Sequence, residues 1–315
     1  MLAYVATPDA PDGLELREVP RPDPRPSEAV VAVGAFSLNR GEVGHVRART
    51  IPAGTTVGWD VAGVVVQAAA DGSGPAAGSA VFGCSVSRGT WAQLAAVSTS
   101  SLAVLPPGVS PAAGSTLGVA GLTAIYAVRY GGSLLGRTVI VTGAAGGVGR
   151  LAVQLAARSG AHVIAVVGDD PARAATVFEL GLDHVEVERG LAATGAPAHL
   201  ILESAGGDSL SAAFARIGPG GTIVLYGRSS EQPGRVPPDW FFRNAQLHGL
   251  SFARDMDVDG SGPATLAILG DLVASGRLDP GVGWESSWQD LPAAMAALLG
   301  RHVGGKAVLH VDEPA

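Results

Sequence analysis

The sequence predicts an α/β architecture, a doubly wound parallel sheet joined to a second, β-rich domain, and three observations carry that expectation. First, the β-prone run Thr138-Val-Ile-Val-Thr142 leads into Gly143-Ala-Ala-Gly-Gly-Val-Gly149, and Val148, Leu151, Ala152, Leu155 and Ala156 then fall at helical spacing. A strand, a Gly-rich turn and a helix in this order make a phosphate site. Small residues let the backbone approach a pyrophosphate, and the helix start offers unpaired N–H groups at a positive dipole end. Second, helical and strand patterns alternate from Ala112 onward, as in a parallel sheet covered on both faces. Third, the chain before that point consists of short β-prone runs broken by Pro- and Gly-containing turns.

In order along the chain, strands are expected over 29–33, 61–66 and 91–97, with a surface turn at 70–75 and a break at Pro106-Pro107-Gly108. Helices follow over 114–129, 148–159, 171–180 and 210–217. Strands alternate with them over 139–142, 162–167, 199–203, 222–226 and 246–252. A further helix over 264–275, a helix over 292–299 and an extended tail over 306–311 lead back to the first domain. The expected division is 1–112 with 256–315 for the β-rich domain, and 113–255 for the nucleotide domain.

Composition narrows the function classes. With 315 residues and 47% hydrophobic content the chain can bury a large core, so it needs no disulfide or metal staple. A net charge of −7 without a basic block argues against nucleic acid or an anionic membrane as partner. No basic start with an apolar run reads as a signal peptide, and no 18-residue apolar run reads as a membrane span. A cytoplasmic protein is expected. Cys84 is the single cysteine, so neither an intrachain disulfide nor a Cys-rich zinc site can form.

Further motifs run in order along the chain: Glu18-Val-Pro-Arg-Pro-Asp-Pro, Ser37-Leu-Asn39-Arg-Gly-Glu42, Gly58-Trp-Asp60-Val-Ala-Gly63 and Gly121-Leu-Thr123-Ala. Gly143 to Gly149, Pro219-Gly-Gly221 with Tyr226-Gly227, and Gly304-Gly-Lys306-Ala-Val-Leu follow. Read together, these motifs resemble the medium-chain dehydrogenase/reductase superfamily, in particular its zinc-independent quinone oxidoreductase branch. Glu42 stands where the family usually carries Asp. The resemblance implies a Rossmann nucleotide domain, a GroES-like catalytic domain and a homodimer joined through an edge strand, for which 246–252 is the candidate. Zinc-dependent relatives carry a Cys and a His–Glu pair as catalytic ligands and four more Cys for a structural zinc. Here those positions hold Asn39 or Arg40 and Trp59 with Asp60, and the four-Cys lobe is missing. The chain is therefore read as metal-free.

Without a Lewis acid, the chemistry implied is hydride transfer from a reduced nicotinamide to a conjugated carbonyl substrate: a quinone, an enone or an enoyl thioester. Candidate catalytic residues are Asn39, Thr123 and His45, the last for its ordinary pKa near neutrality. The Tyr that serves some relatives as proton donor has no counterpart between Asn39 and Gly58. Candidate cofactor contacts are Ala144, Ala145, Gly146, Gly147, Val148 and Gly149 on the turn, then Gly168, Asp169 and Arg173 after the second strand. Ser204, Ala205, Gly227, Phe252 and Ala253 are placed at later strand ends. Gly168 resembles the NADP-using members, with Arg173 in place of their Lys, while Asp169 suits the ribose hydroxyls of NAD. NADPH is the expected cofactor and NADH the alternative. Two other readings stay open, a cofactor-binding protein without redox turnover and a non-redox tailoring enzyme such as a cyclase.

Overall fold

The computed structural model describes residues 1–85 and 89–312, and the chain divides into two compact units, Met1–Leu122 with Met256–Ala315, and Thr123–Asp255. The first unit begins with strands β1 (Leu2–Ala6) and β2 (Leu14–Glu18), an antiparallel pair. Strand β3 (Glu28–Ser37), helix α1 (Arg40–Arg47), β4 (Asp60–Gln67), β5 (Ala80–Cys84), β6 (Leu94–Ser98), β7 (Leu102–Val104) and helix α2 (Pro111–Ser115) follow.

Strand β3 outruns the expected 29–33. Gly34 interrupts the apolar alternation and coincides with a register shift against β4, yet Ala35 to Ser37 go on pairing with a late strand of the chain. Trp91 lies ahead of β6 rather than in it, fully buried and stacked on Phe36 at 5.8 Å. The helix expected over 114–129 starts earlier, where Ser110 Oγ accepts from Ala113 N–H at 3.1 Å and Pro111 takes the first helical position. It also changes pitch, passing through a wider π-type turn at Leu117–Gly121. The first unit consequently extends through Leu122, past the boundary at 112 read from sequence.

In the second unit the elements are α3 (Leu122–Arg129), β8 (Thr138–Thr142), α4 (Gly147–Arg158), β9 (His162–Val167), α5 (Pro171–Phe178), β10 (Val185–Arg189), β11 (Ala198–Glu203), α6 (Gly207–Arg216), β12 (Ile217–Leu225) and β13 (Gln246–Gly249). Six strands form one parallel sheet in the order β10-β9-β8-β11-β12-β13. The chain winds from β8 outward through β9 on one side, then returns to β11 on the other, so strand order reverses between β8 and β11. Ile140, Ile164, Ile201, Phe214 and Ile223 anchor its core. Strand β10 escaped the sequence reading because its Val-Glu-Val-Glu-Arg run is half polar, as suits an edge.

The last expected strand, 246–252, ends at Gly249; Leu250 N–H still donates to Leu225 O at 2.9 Å, and helix α7 (Phe252–Asp259) then begins. The chain returns to the first unit with α8 (Gly262–Ala274), β14 (Val282–Ser287), α9 (Leu291–Leu299) and β15 (Lys306–His310). Strand β15 pairs β14 in parallel and β3 antiparallel, closing a sheet ordered β14-β15-β3-β4-β5-β7, with β6 also on β3. Phe36, Trp91, Trp288, Leu291 and Leu309 lie in the core beneath it. The architecture is thus the expected fold class, a Rossmann-type sheet and a separate antiparallel β-rich unit. Among the described residues no helix is long and apolar enough to cross a membrane.

Candidate functional site

Where strand order reverses in an open parallel sheet, the carboxyl ends of neighbouring strands splay their loops apart and leave a crevice for a ligand. In the second unit that place is occupied by the glycine turn after β8 and the loop after β11. Gly143 has φ of 63°, in the left-handed region, and a Cβ there would stand 2.6 Å from Ser204 Oγ. At Gly149 a Cβ would come within 2.2 Å of Gly143 O, so only glycine lets helix α4 sit this tightly on the turn. Ala144 N–H donates to Val166 O at 3.0 Å, and Ala144 and Ala145 are buried beneath the turn. Gly146, Gly147 and Val148 are half-buried. Arg150 N–H makes the first bond of the helix, to Gly146 O at 2.8 Å. The N–H groups just ahead of it have no partner within the helix and are suited to phosphate oxygens.

Beyond β9, Gly168 and Asp169 are exposed. Asp170 instead caps α5 through Ala172 N–H at 2.9 Å, and Arg173 lies half-buried on that helix. Glu188 on β10 is turned to the buried Arg216, 3.4 Å from its Nη1.

The loop after β11 hangs on one carboxylate. Glu203 is fully buried and accepts from Thr142 Oγ1 at 3.1 Å, Ser209 Oγ at 2.7 Å, Ala205 N–H at 3.1 Å and Gly206 N–H at 2.8 Å. Ser204 N–H donates to Thr142 Oγ1 at 2.9 Å, and a Cβ on Gly227 would lie 2.6 Å from Ser204 O. Gly143 and Gly227 thus both close on Ser204, which with Gly227 is a candidate contact read from sequence. Thr123 is buried in α3. Phe252 and Ala253 are corrected: they open helix α7 rather than ending a strand, because pairing with β12 stops at Gly249.

In the first unit, β3 pairs with both β4 and β15, and their ends bring a polar cluster together. Asp60, first in β4, is fully buried; its Oδ2 accepts from Ser37 Oγ at 2.7 Å, Asn39 Nδ2 at 2.7 Å and Lys306 Nζ at 3.0 Å. Its Oδ1 accepts from Val119 N–H, in the π-type turn, at 2.7 Å. Lys306, first in β15, also donates to Asn39 Oδ1 at 2.6 Å. Asn39 starts α1, where its backbone N–H and its Nδ2 donate to Glu42 Oε1 at 2.7 and 3.0 Å. Both amide hydrogens of Asn39 are therefore engaged within the cluster. Glu42 Oε2 is buried with no hydrogen-bond partner. Burial, reinforced by the charge of Asp60 and opposed by Lys306, raises the Glu42 pKa to about 8. Cys84 lies opposite Asp60 across the strand pair, and burial pushes its thiol well up, with the Asp60 and Glu42 charges adding to the shift. His45 stands apart from this cluster, exposed, with Nδ1 2.9 Å from Thr50 Oγ1 and its ring edge toward Trp59.

A zinc ion does not suit this cluster. Asp60 already receives donors on both oxygens, and an ammonium holds the place a cation would take. Lys306, Glu203 and Thr142 received no role in the sequence reading. A charge opening Lys306–His310 or closing Ala198–Glu203, strands otherwise largely apolar, was the available signal.

Comparison with known proteins bears on this geometry. A family model described as zinc-binding dehydrogenase matches residues 147–262, none of which belongs to the Asp60 cluster. The erythronolide synthase of Saccharopolyspora erythraea is 32% identical over 304 residues, 92% of this chain but 8% of that protein. A chloroplastic quinone-oxidoreductase homolog of Spinacia oleracea is 37% identical over 173 residues, 50% of this chain and 52% of its own. The chain thus spans a small part of the synthase and about half of the spinach protein. A putative NADP-dependent oxidoreductase of Bacillus subtilis is 25% identical over 97% of this chain and 96% of that one. Among solved structures, an alcohol dehydrogenase superfamily protein from Novosphingobium aromaticivorans matches with a TM-score of 0.86 and 26% identity, over 99% and 100% of the two chains.

Proposed function

We propose that this chain, which belongs to the medium-chain dehydrogenase/reductase superfamily and to its quinone-oxidoreductase-like branch, is a metal-free oxidoreductase reducing a conjugated carbonyl substrate with NADPH. The observation that carries this reading is the glycine turn Gly143–Gly149 at the point where strand order reverses. On it, the backbone from Ala144 to Gly149 receives the pyrophosphate. Gly168, Asp169 and Arg173 surround the adenine-side ribose, and Ser204, Ala205 and Gly227 flank the nicotinamide. When bound, the reduced nicotinamide supplies a hydride. The protein contributes orientation and exclusion of water, and an electron-poor alkene conjugated to a carbonyl spreads the developing charge onto oxygen.

Asn39 acts in this reading as a positioning residue, since both amide hydrogens serve Asp60 and Glu42. The proton completing the reduction comes from water. NADPH is favoured by Gly168, which leaves room for a 2′-phosphate, and by the cationic Arg173 nearby. The similarity to a putative NADP-dependent oxidoreductase of Bacillus subtilis adds support. The test is direct. Protein mixed with NADPH or NADH and a panel of quinones, enones and enoyl thioesters should consume the reduced cofactor, followed by its absorbance. Tight cofactor binding with no consumption across the panel would favour the second reading, a dinucleotide-binding protein without redox turnover.

A further inference from the structure

Glu203 is a carboxyl side chain with no exposure, at the end of a central strand, and its hydrogen-bond donors among the described residues are hydroxyls and backbone N–H groups. Burying a carboxylate is costly unless donors surround it, and this one is surrounded. Its oxygens gather two backbone N–H groups of the loop after β11, the hydroxyl of Ser209 from α6, and the hydroxyl of Thr142 from the end of β8. Thr142 passes the connection on: its Oγ1 accepts from Ser204 N–H, and its carbonyl accepts from Ser204 Oγ at 3.1 Å and Tyr226 O–H at 3.3 Å. The ends of β8, β11 and β12 are thereby tied together at the reversal of strand order. The outer side of the loop is held as well, by Ser229 N–H on Ser204 O and Ser230 N–H on Ala205 O.

We infer that Glu203 is a positioning residue that sets the loop 204–206 against the glycine turn and so shapes the nicotinamide half of the dinucleotide crevice. The inference rests on the dinucleotide reading above. Its asymmetry follows from the topology. Each half of a doubly wound sheet holds one nucleotide, so the half built on β8 and β9 takes the adenosine side and the half on β11 and β12 the other. The Glu203 network reaches only the second half and the turn between them. A residue that merely folds the domain would weaken both halves alike.

The experiment compares Glu203→Met, which keeps length and removes every acceptor, with Glu203→Gln, whose carbonyl can still receive the two N–H groups while the hydroxyls rotate to its amide. Affinities for NADPH and for 2′,5′-ADP, which lacks the nicotinamide half, are measured by fluorescence titration and competition, with NADH and ADP run alongside. Glu203→Met should weaken the whole dinucleotide about tenfold or more, as orphaned buried N–H groups let the loop shift. The nicotinamide-free fragment should stay within about twofold, and Glu203→Gln should recover most of the loss. Equal weakening of dinucleotide and fragment, or unchanged dinucleotide affinity, would overturn the inference. Wild-type protein that binds neither would instead sink the dinucleotide reading itself. Should Glu203→Met not fold, Thr142→Val, which strips the acceptor from Ser204 N–H, carries the same expectation and the same refutation.

Discussion

The charge state of Glu42 makes a prediction that can be worked through from the structure. Two carboxylates, Glu42 and Asp60, share a single buried ammonium, Lys306, and the donors favour Asp60. Glu42 keeps one oxygen without a partner, and its pKa rises from 4.5 to about 8. The folded protein therefore holds a proton on Glu42 that the unfolded chain releases above its own pKa. Stability from this group is complete below about pH 4.5 and declines by about 1.4 kcal/mol per pH unit until the folded pKa is passed. The whole loss amounts to about 5 kcal/mol, undiminished by solvent screening because the side chain is buried. Glu42→Gln keeps the shape and the accepting oxygen without the ionisation. The difference in unfolding free energy between wild type and Glu42→Gln should therefore move by about 4 kcal/mol in favour of the variant between pH 4.5 and 8, and by the full amount only well outside that window. Urea unfolding at a series of pH values, followed by fluorescence of Trp59, Trp91 and Trp288 in the same unit, measures it. Taking the difference cancels the titrating groups that do not interact with Glu42. A difference that stays flat across this range would show that Glu42 is ionised in the folded state and that Lys306 serves both acids.

Other expectations follow from the same geometry. Lys306→Met should cost about 3–5 kcal/mol by leaving Asp60 buried without its ion pair, and a second change, Asp60→Asn, should restore part of it; a loss below about 1 kcal/mol would contradict the pairing. Gly149→Ala should destabilise the nucleotide unit by about 1–3 kcal/mol, since its Cβ would meet the Gly143 carbonyl. Gly146→Val should leave the unit folded yet abolish dinucleotide binding, its Cβ meeting only Gly143 O at 3.2 Å; retained affinity in a titration would remove Gly146 from the pyrophosphate site. Asp169→Arg should raise NADPH affinity relative to NADH by up to about fivefold, the range of an exposed charge pair; an unchanged ratio would mean the side chain faces away from the ribose. If copies of the chain pair through the free edge of β13, sedimentation should show a dimer that Leu247→Lys, at a half-exposed edge position, shifts toward monomer.

The strand–turn–helix from Thr138 to Arg158 was legible in the sequence, within a residue or so at each end, because β-propensity, glycine conformation and helical periodicity are local properties. The same locality explains the errors. Strand β3 continued past Gly34 because a strand some 270 residues later supplies its partner. Strand β13 stopped short of Phe252 because its neighbour β12 ran out, whatever the sequence preferred. Asn39 was recognisable as a candidate, but not that its amide would be spent on Asp60 and Glu42.

Local signals along the chain were enough to set the class of both units and to mark the glycine turn. The charged clusters exist only once the chain is folded, since Lys306 lies 267 positions from Asn39 and Glu203 lies 61 from Thr142. Such groups meet through strand order and register, and no propensity along the chain encodes where two strand ends will converge. Burial does the rest, because a carboxylate away from water persists only where the folded chain has brought it donors.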